Sequence, residues 1–196
     1  NIKVGTGNGS GGGAYIAGGS SSTVKLTGNT ISDNTLSISS TSNYANIWGG
    51  GIYLAATTAI VTGNNISDNN LIYSATYANA YGGGIYLGGN GTTITISGNT
   101  INDNSIAYSN TAYVNANAYG GGIYLDGTAT ATITNNVIDN NSTKNFSYSN
   151  SRNPAGGGGY LSAANLAISD NIITNNSSKN TYPSYGSTPS AYGGGL

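Results

Sequence analysis

The sequence predicts an all-β fold, a parallel β-helix (β-solenoid) of about five coils, and three observations predict it. The triplet Gly-Gly-Gly starts at Gly11, Gly49, Gly82, Gly120, Gly156 and Gly193, at intervals of 38, 33, 38, 36 and 37 residues. Periods of this length belong to solenoids, propellers and arrays. Apolar residues within each unit alternate with period two, the strand pattern, and no window shows the helical period. Asparagine falls at matching places in every unit.

Each unit reads as three blocks in order. The first follows the triplet: Ala14-Tyr15-Ile16, Ile52-Tyr53-Leu54, Ile85-Tyr86-Leu87, Ile123-Tyr124-Leu125 and Gly159-Tyr160-Leu161. Its Ile and Leu face the core. Tyr15, Tyr53, Tyr86, Tyr124 and Tyr160 form an outward stripe, open to three roles: cover by the protein's own loops, contact with a partner subunit, or stacking on sugar rings. The second block is a short strand ending in Asn, as in Val24-Lys25-Leu26-Thr27-Gly28-Asn29 and Ile94-Thr95-Ile96-Ser97-Gly98-Asn99. The third is an Ile-x-x-Asn step, Ile31 to Asn34 and its equivalents. The units then diverge into polar loops rich in Tyr, Asn, Ala and Ser. Most close on an aromatic before the next triplet (Trp48, Tyr81, Tyr119, Tyr192). The regular glycines fit tight corners or close backbone packing. No Gly-Lys-Ser/Thr follows them, as a phosphate cradle needs.

Two asparagine columns follow from this register. Asn29, Asn64, Asn99, Asn136 and Asn171 recur at 35, 35, 37 and 35 residues. Stacked coils place such residues about 4.8 Å apart. A buried amide there donates and accepts along the stack, and Asn tolerates the left-handed backbone of a sharp corner. Asn34, Asn69, Asn104, Asn141 and Asn176 form the second column.

The pairing of Gly-Gly-Gly-Ile with Ile-x-x-Asn resembles the Gly-Gly-Ala-Ile and Phe-x-x-Asn repeats of chlamydial polymorphic outer-membrane proteins. Similar repeats occur in bacterial and archaeal surface proteins. The resemblance runs from Gly11 to Leu196, with Ile in place of Phe in the second motif. It implies a right-handed β-helix, display outside the cell and adhesion. The broader pectate-lyase-like superfamily, which includes polysaccharide lyases and hydrolases, shares the fold.

Composition narrows the chemistry. The 196 residues hold 5 basic and 6 acidic side chains, and no His, Cys or Met. A Ser-His-Asp triad, a His-ligated metal, thiolate chemistry and disulfides are therefore excluded. Five scattered cations do not make a phosphate-tracking surface, so no nucleic-acid partner is expected. No apolar run approaches the roughly 20 residues of a membrane span. Asp33, Asp68 and Asp103 share one position in three units, where they could hold a cation or act as a carboxylate pair. Asn140 and Asn175 replace them in the next two, which fits turn residues better. Arg152 has no acid cluster near it in sequence. No catalytic residue, metal ligand or cofactor is assigned. Asn90 and Asn145 lie in sequons on expected loops and are candidate glycosylation sites.

The whole chain, 1–196, reads as one domain: a half-coil at 1–10, repeats from 11, 49, 82, 120 and 156, and a half-coil at 193–196. It opens at Asn1 without a basic-then-apolar leader, as a processed or partial chain does. Ile2-Lys3-Val4 through Asn8 resembles Val24 to Asn29 with one residue inserted. That segment and Gly193-Gly194-Gly195-Leu196 are expected to complete one coil between neighbouring subunits. The expectation is a secreted, extracellular structural protein that stacks head to tail on itself. The alternatives are a passenger-type segment of a surface adhesin, binding glycan or protein, and more remotely a carbohydrate-active enzyme.

Overall fold

The computed structural model describes residues 2–4, 7–19, 21–39, 44–74, 77–89, 93–108, 115–145, 154–180 and 191–196. It is an all-β parallel solenoid, with no helix among the described residues. Every strand pair is parallel, and each strand bonds its equivalents in the coils above and below. Four columns of strands result.

The first column stacks Ile2–Val4, Thr35–Ser39, Asn70–Ser74, Ser105–Tyr108, Ser142–Asn145 and Ser177–Asn180. The second stacks Gly9–Ser10, Ala45–Trp48, Tyr77–Tyr81 and Asn115–Tyr119. A glycine triplet then turns the backbone into the third and widest column. Its coils run Ala14–Ala17 with Thr23–Thr27, Ile52–Ala55 with Thr58–Thr62, Ile85–Gly88 with Thr93–Ser97, Ile123–Thr134, and Gly159–Ser169. The fourth stacks Thr30–Ser32, Asn65–Ser67, Thr100–Asn102, Val137–Asp139 and Ile172–Thr174.

Much of the stretch expected to be polar loop is therefore strand. The first two columns are built from it. In Tyr77–Tyr81 the alternation is present but quiet: Ala78 and Ala80 face the core while Tyr77, Asn79 and Tyr81 face out. Small Ala residues carry that inner face. The expected loops at 109–114, 146–153 and 181–190 lie outside the described residues, as does Arg152.

Two apolar clusters fill the interior. One joins the third and fourth columns and is aliphatic, with Ile52, Leu54, Val61, Ile96, Ile101 and Ile133 buried. The other joins the first and second columns, where Leu36, Ile47, Leu71 and Ile106 pack with Tyr73 and several Ala residues. Tyr73 is fully buried and donates its hydroxyl to Asn145 Oδ1 at 2.9 Å. Burial above all, with the neighbouring Tyr108 adding to it, pushes its phenol above the ordinary range. Tyr124 is shifted the same way, by burial and then by Asp126. Stability from keeping such phenols protonated is full below their ordinary pKa of 10.0 and is lost as pH rises through the higher folded value. Thermal midpoints measured across alkaline pH are thus expected to fall above about pH 10. A profile that stays flat there would show that these phenols ionise freely in the folded protein.

Candidate functional site

Both asparagine columns form continuous ladders at the corners flanking the fourth strand column. Asn64 donates from Nδ2 to Asn99 Oδ1 at 3.0 Å, and its main-chain N–H reaches the same oxygen at 2.9 Å. Asn99 bonds Asn136 in the same two ways, and Asn136 bonds Asn171. A second Nδ2 hydrogen bonds a carbonyl of the preceding coil: Asn99 to Val61 O at 2.8 Å, Asn136 to Ile96 O at 2.9 Å. Asn34, Asn69, Asn104, Asn141 and Asn176 repeat the pattern at the other corner. Every central amide is thereby satisfied, as burial requires.

The left-handed residue at these corners is not the ladder Asn, as its backbone tolerance suggested, but the residue before it. Gly28, Gly63, Gly98, Asn135 and Asp170 precede the first ladder with φ of 56° to 66°, and Asp33, Asp68, Asp103, Asn140 and Asn175 precede the second with φ of 50° to 57°. The preceding residue makes the bend so that the ladder amide points inward. This accounts for the Asp column. Gly, Asn and Asp are the residues that visit this region readily, so Asn140 and Asn175 serve the position as well as Asp does. Asp103 is also bound by Asn102 and Asn140. No group of three or more metal-ligating side chains occurs among the described residues. Asp139 stands apart, because hydrogen bonds from Thr174 and then Asn175 hold its carboxyl below the usual range.

The glycine triplets pack directly on the second ladder. The first glycine of each is left-handed, with φ from 53° to 69°. The third lies against the ladder amides: a Cβ on Gly84 would meet Asn104 Cγ at 3.0 Å.

Tyr15, Tyr53, Tyr86, Tyr124 and Tyr160 stand in register on the third column. Their rings stack with centroids 4.8, 5.0, 5.4 and 5.3 Å apart and planes within 8°. The stripe is not bare. Trp48, Tyr81 and Tyr119, the aromatics before the triplets, form a second column across the corner. Rings cross between the columns, with Tyr81 4.7 Å from Tyr124 and Tyr119 5.1 Å from Tyr160. Exposure consequently falls from 61% at Tyr15 to 7% at Tyr124. Inside this wall each ring's faces are covered by its neighbours, and mainly edges and hydroxyls are left to solvent.

A third, outer ladder went unnoticed in the sequence. Asn117 donates to Asn79 Oδ1 at 2.8 Å and Asn79 to Asn46 Oδ1 at 2.9 Å, while Asn8 Oδ1 accepts from the Asn46 N–H. An Asn two residues before the closing aromatic was the available signal.

Two expectations are corrected. Asn145 is fully buried, bonded to Tyr73 and to Ala116 O, so it offers no glycan site; Asn90 lies outside the described residues. Ile2, Lys3 and Val4 pair with Leu36, Ser37 and Ile38 in the first column, not with the strand of Val24 to Leu26. Ser177–Asn180 occupies that same column, and Gly193, Gly194 and Gly195 the same corner as Gly11 to Gly13. The two end segments therefore supply the same half of a coil and do not complete one together. The matching Lys between apolar neighbours was misleading, because both columns accept that local pattern.

At the C-terminal face the interior opens. Leu166, Ile168 and Ile172 are 40%, 43% and 58% exposed. They belong to Gly159–Ser169, which pairs with Ile123–Thr134, and Ile172–Thr174, which pairs with Val137–Asp139.

No curated protein and no solved structure matches the sequence. The family model for a right handed beta helix region matches residues 6–193. With the parallel coils, stacked corner amides and glycine turns in place, the protein belongs to the right-handed β-helix family.

Proposed function

We propose that this protein is a secreted structural element of the cell exterior, a β-solenoid that extends head to tail with copies of itself. The carrying observation is that both corner ladders run one way. Within each ladder the bonds to the next amide point to the later coil: Asn136 N and Nδ2 to Asn171 Oδ1, Asn141 N and Nδ2 to Asn176 Oδ1. The main-chain N–H bonds the same oxygen, which fixes the amide orientation independently of how the side-group atoms are assigned. One face of the solenoid thus leads with the acceptors Asn29 and Asn34, the other with the main-chain donors of Asn171 and Asn176. Head-to-tail stacking matches them; head-to-head stacking sets like against like. The exposed Leu166, Ile168 and Ile172 give that contact an apolar centre, and an uncovered sheet edge invites pairing. The exterior location rests on the resemblance of the repeats to those of surface proteins.

Such a contact lays Ala14–Ala17, Thr23–Thr27 and Thr30–Ser32 of the incoming copy on Gly159–Ser169 and Ile172–Thr174. Its Ile2–Val4 and the following corner then fall where Ser177–Asn180 and Gly193 to Gly195 already run, so the incoming half-coil has to leave. Deleting residues 1–13 is therefore expected to increase polymerisation, read by sedimentation and negative-stain electron microscopy against the full-length protein. Monomers in both samples would overturn self-assembly. That outcome favours the second reading, a passenger-type adhesin segment, for which the exposed ring of Tyr15 at the end of the wall is the observation of interest. The proposal includes no catalysis.

A further inference from the structure

The aromatic wall has a property that neither stacking nor adhesion uses. With no Cys, Met or His in the sequence, its 16 Tyr and single Trp are the readily oxidised side groups. Eight of them are in one contiguous array. From Tyr15 through Tyr53, Tyr86 and Tyr124 to Tyr160, successive centroids lie 4.8 to 5.4 Å apart with nearly parallel planes. Trp48, Tyr81 and Tyr119 join the same array at 4.7 to 6.4 Å. Offset-stacked and edge-on π-systems at such separations are in direct contact.

A phenol gives up an electron easily only if its proton has somewhere to go. The Tyr124 phenol has a carboxylate within hydrogen-bond distance. Its hydroxyl donates to Asp126 Oδ2 at 3.1 Å. Tyr124 is also the most buried ring of its column, while Tyr15 at the array's end is the most exposed. Entry point and resting point are therefore different residues, three coils apart.

We propose that the aromatic wall is a hole relay: an external one-electron oxidant takes an electron at the exposed end, and the oxidised site comes to rest at Tyr124, with Asp126 receiving the phenol proton. The step balances. One electron passes to the oxidant, the Tyr124 O–H bond breaks, and a bond forms between the proton and Asp126 Oδ2. A neutral phenoxyl radical and a neutral carboxylic acid remain, and one electron from an external reductant reverses the change. Burial shields the radical from coupling to a phenol on another molecule. In the resting protein, burial and then the Asp126 charge keep the Tyr124 proton on oxygen.

The test is photo-oxidation of the intact protein by a ruthenium polypyridyl complex with persulfate, followed by electron paramagnetic resonance and by dityrosine fluorescence. The unaltered protein is expected to hold a long-lived tyrosyl signal with little dityrosine. Asp126→Asn removes the proton acceptor and should shorten the radical lifetime several-fold. Tyr124→Phe should do the same and raise dityrosine at exposed positions. Tyr86→Phe interrupts the first column and should lower the yield at Tyr124, less than fully because Tyr81 bypasses it. Circular dichroism of each variant establishes that the coils persist. Equal radical lifetime and yield in Asp126→Asn and Tyr124→Phe would overturn the proposal. So would a signal abolished by Tyr15→Phe but indifferent to Tyr124→Phe. Neither outcome depends on whether the protein polymerises.

Discussion

Gly121→Ala is expected to abolish the cooperative fold of the central coils. A Cβ at this glycine would lie 2.3 Å from Gly157 O and 2.6 Å from both the carbonyl carbon and the carbonyl oxygen of Ser142. All of these are backbone atoms of neighbouring strands, so no rotamer change relieves the overlap. Coil separation is set by the parallel ladder at about 4.8 Å, and widening it at one corner breaks hydrogen bonds in both adjoining columns. The cost should exceed the ~1–3 kcal/mol of ordinary core overpacking. Gly63→Asn is the control. Gly63 is left-handed with open space around it, and Asn135 adopts the same conformation at the equivalent corner of a later coil. Denaturant unfolding should separate the two variants clearly. Similar midpoints would mean the coils are loose enough to accept a methyl group at the triplet.

Asn99→Leu is expected to be the most damaging side-group replacement on the ladders. Asn99 is buried and donates to Asn136 Oδ1, Val61 O and Ser97 O, while its Oδ1 accepts the main-chain N–H and the Nδ2 hydrogen of Asn64. Leu fits the volume but keeps only the main-chain N–H bond to Asn136 Oδ1. Each buried group left without a partner costs about 1–3 kcal/mol, and at least the Asn64 donors and the Val61 carbonyl are affected. Asn29→Leu, on the end rung of the same ladder, should cost much less, because Asn29 is itself exposed and the main-chain N–H of residue 29 still reaches Asn64 Oδ1. Thermal melts of the two variants check this. A neutral Asn99→Leu would place the stability of the corner in the backbone alone.

Legibility differed between the two halves of each coil. The aliphatic half was plain, because Ile52, Leu54, Ile94 and Ile96 announce a strand by large alternating side groups. In the other half Ala45, Ala78, Ala80, Ala116 and Ala118 carry the inner face. These are too small to stand out from a background of Ser and Asn, so the second column read as loop; the first was passed over although Leu36, Ile38, Leu71 and Ile106 face inward there. Asn145 shows the same limit. Its sequon is a local pattern, whereas its burial depends on Tyr73, 72 residues earlier in the sequence.

By itself, then, the sequence determined the architecture: the period set the coils, the alternation set the strands, and the recurring Asn set the ladders. Those features repeat in register, and a parallel stack makes every sequence repeat a spatial column. What only the tertiary structure decided was the relation between columns. The Trp48 column packed across the corner against the Tyr stripe, its rings meeting the stripe edge-on or tilted. The bend fell to Asp33 and its equivalents and left the ladder amides free to turn inward. Ile2–Val4 took the first column because pairing with Leu36 to Ile38 depends on the neighbouring coil, and a short apolar segment does not encode which neighbour it will meet.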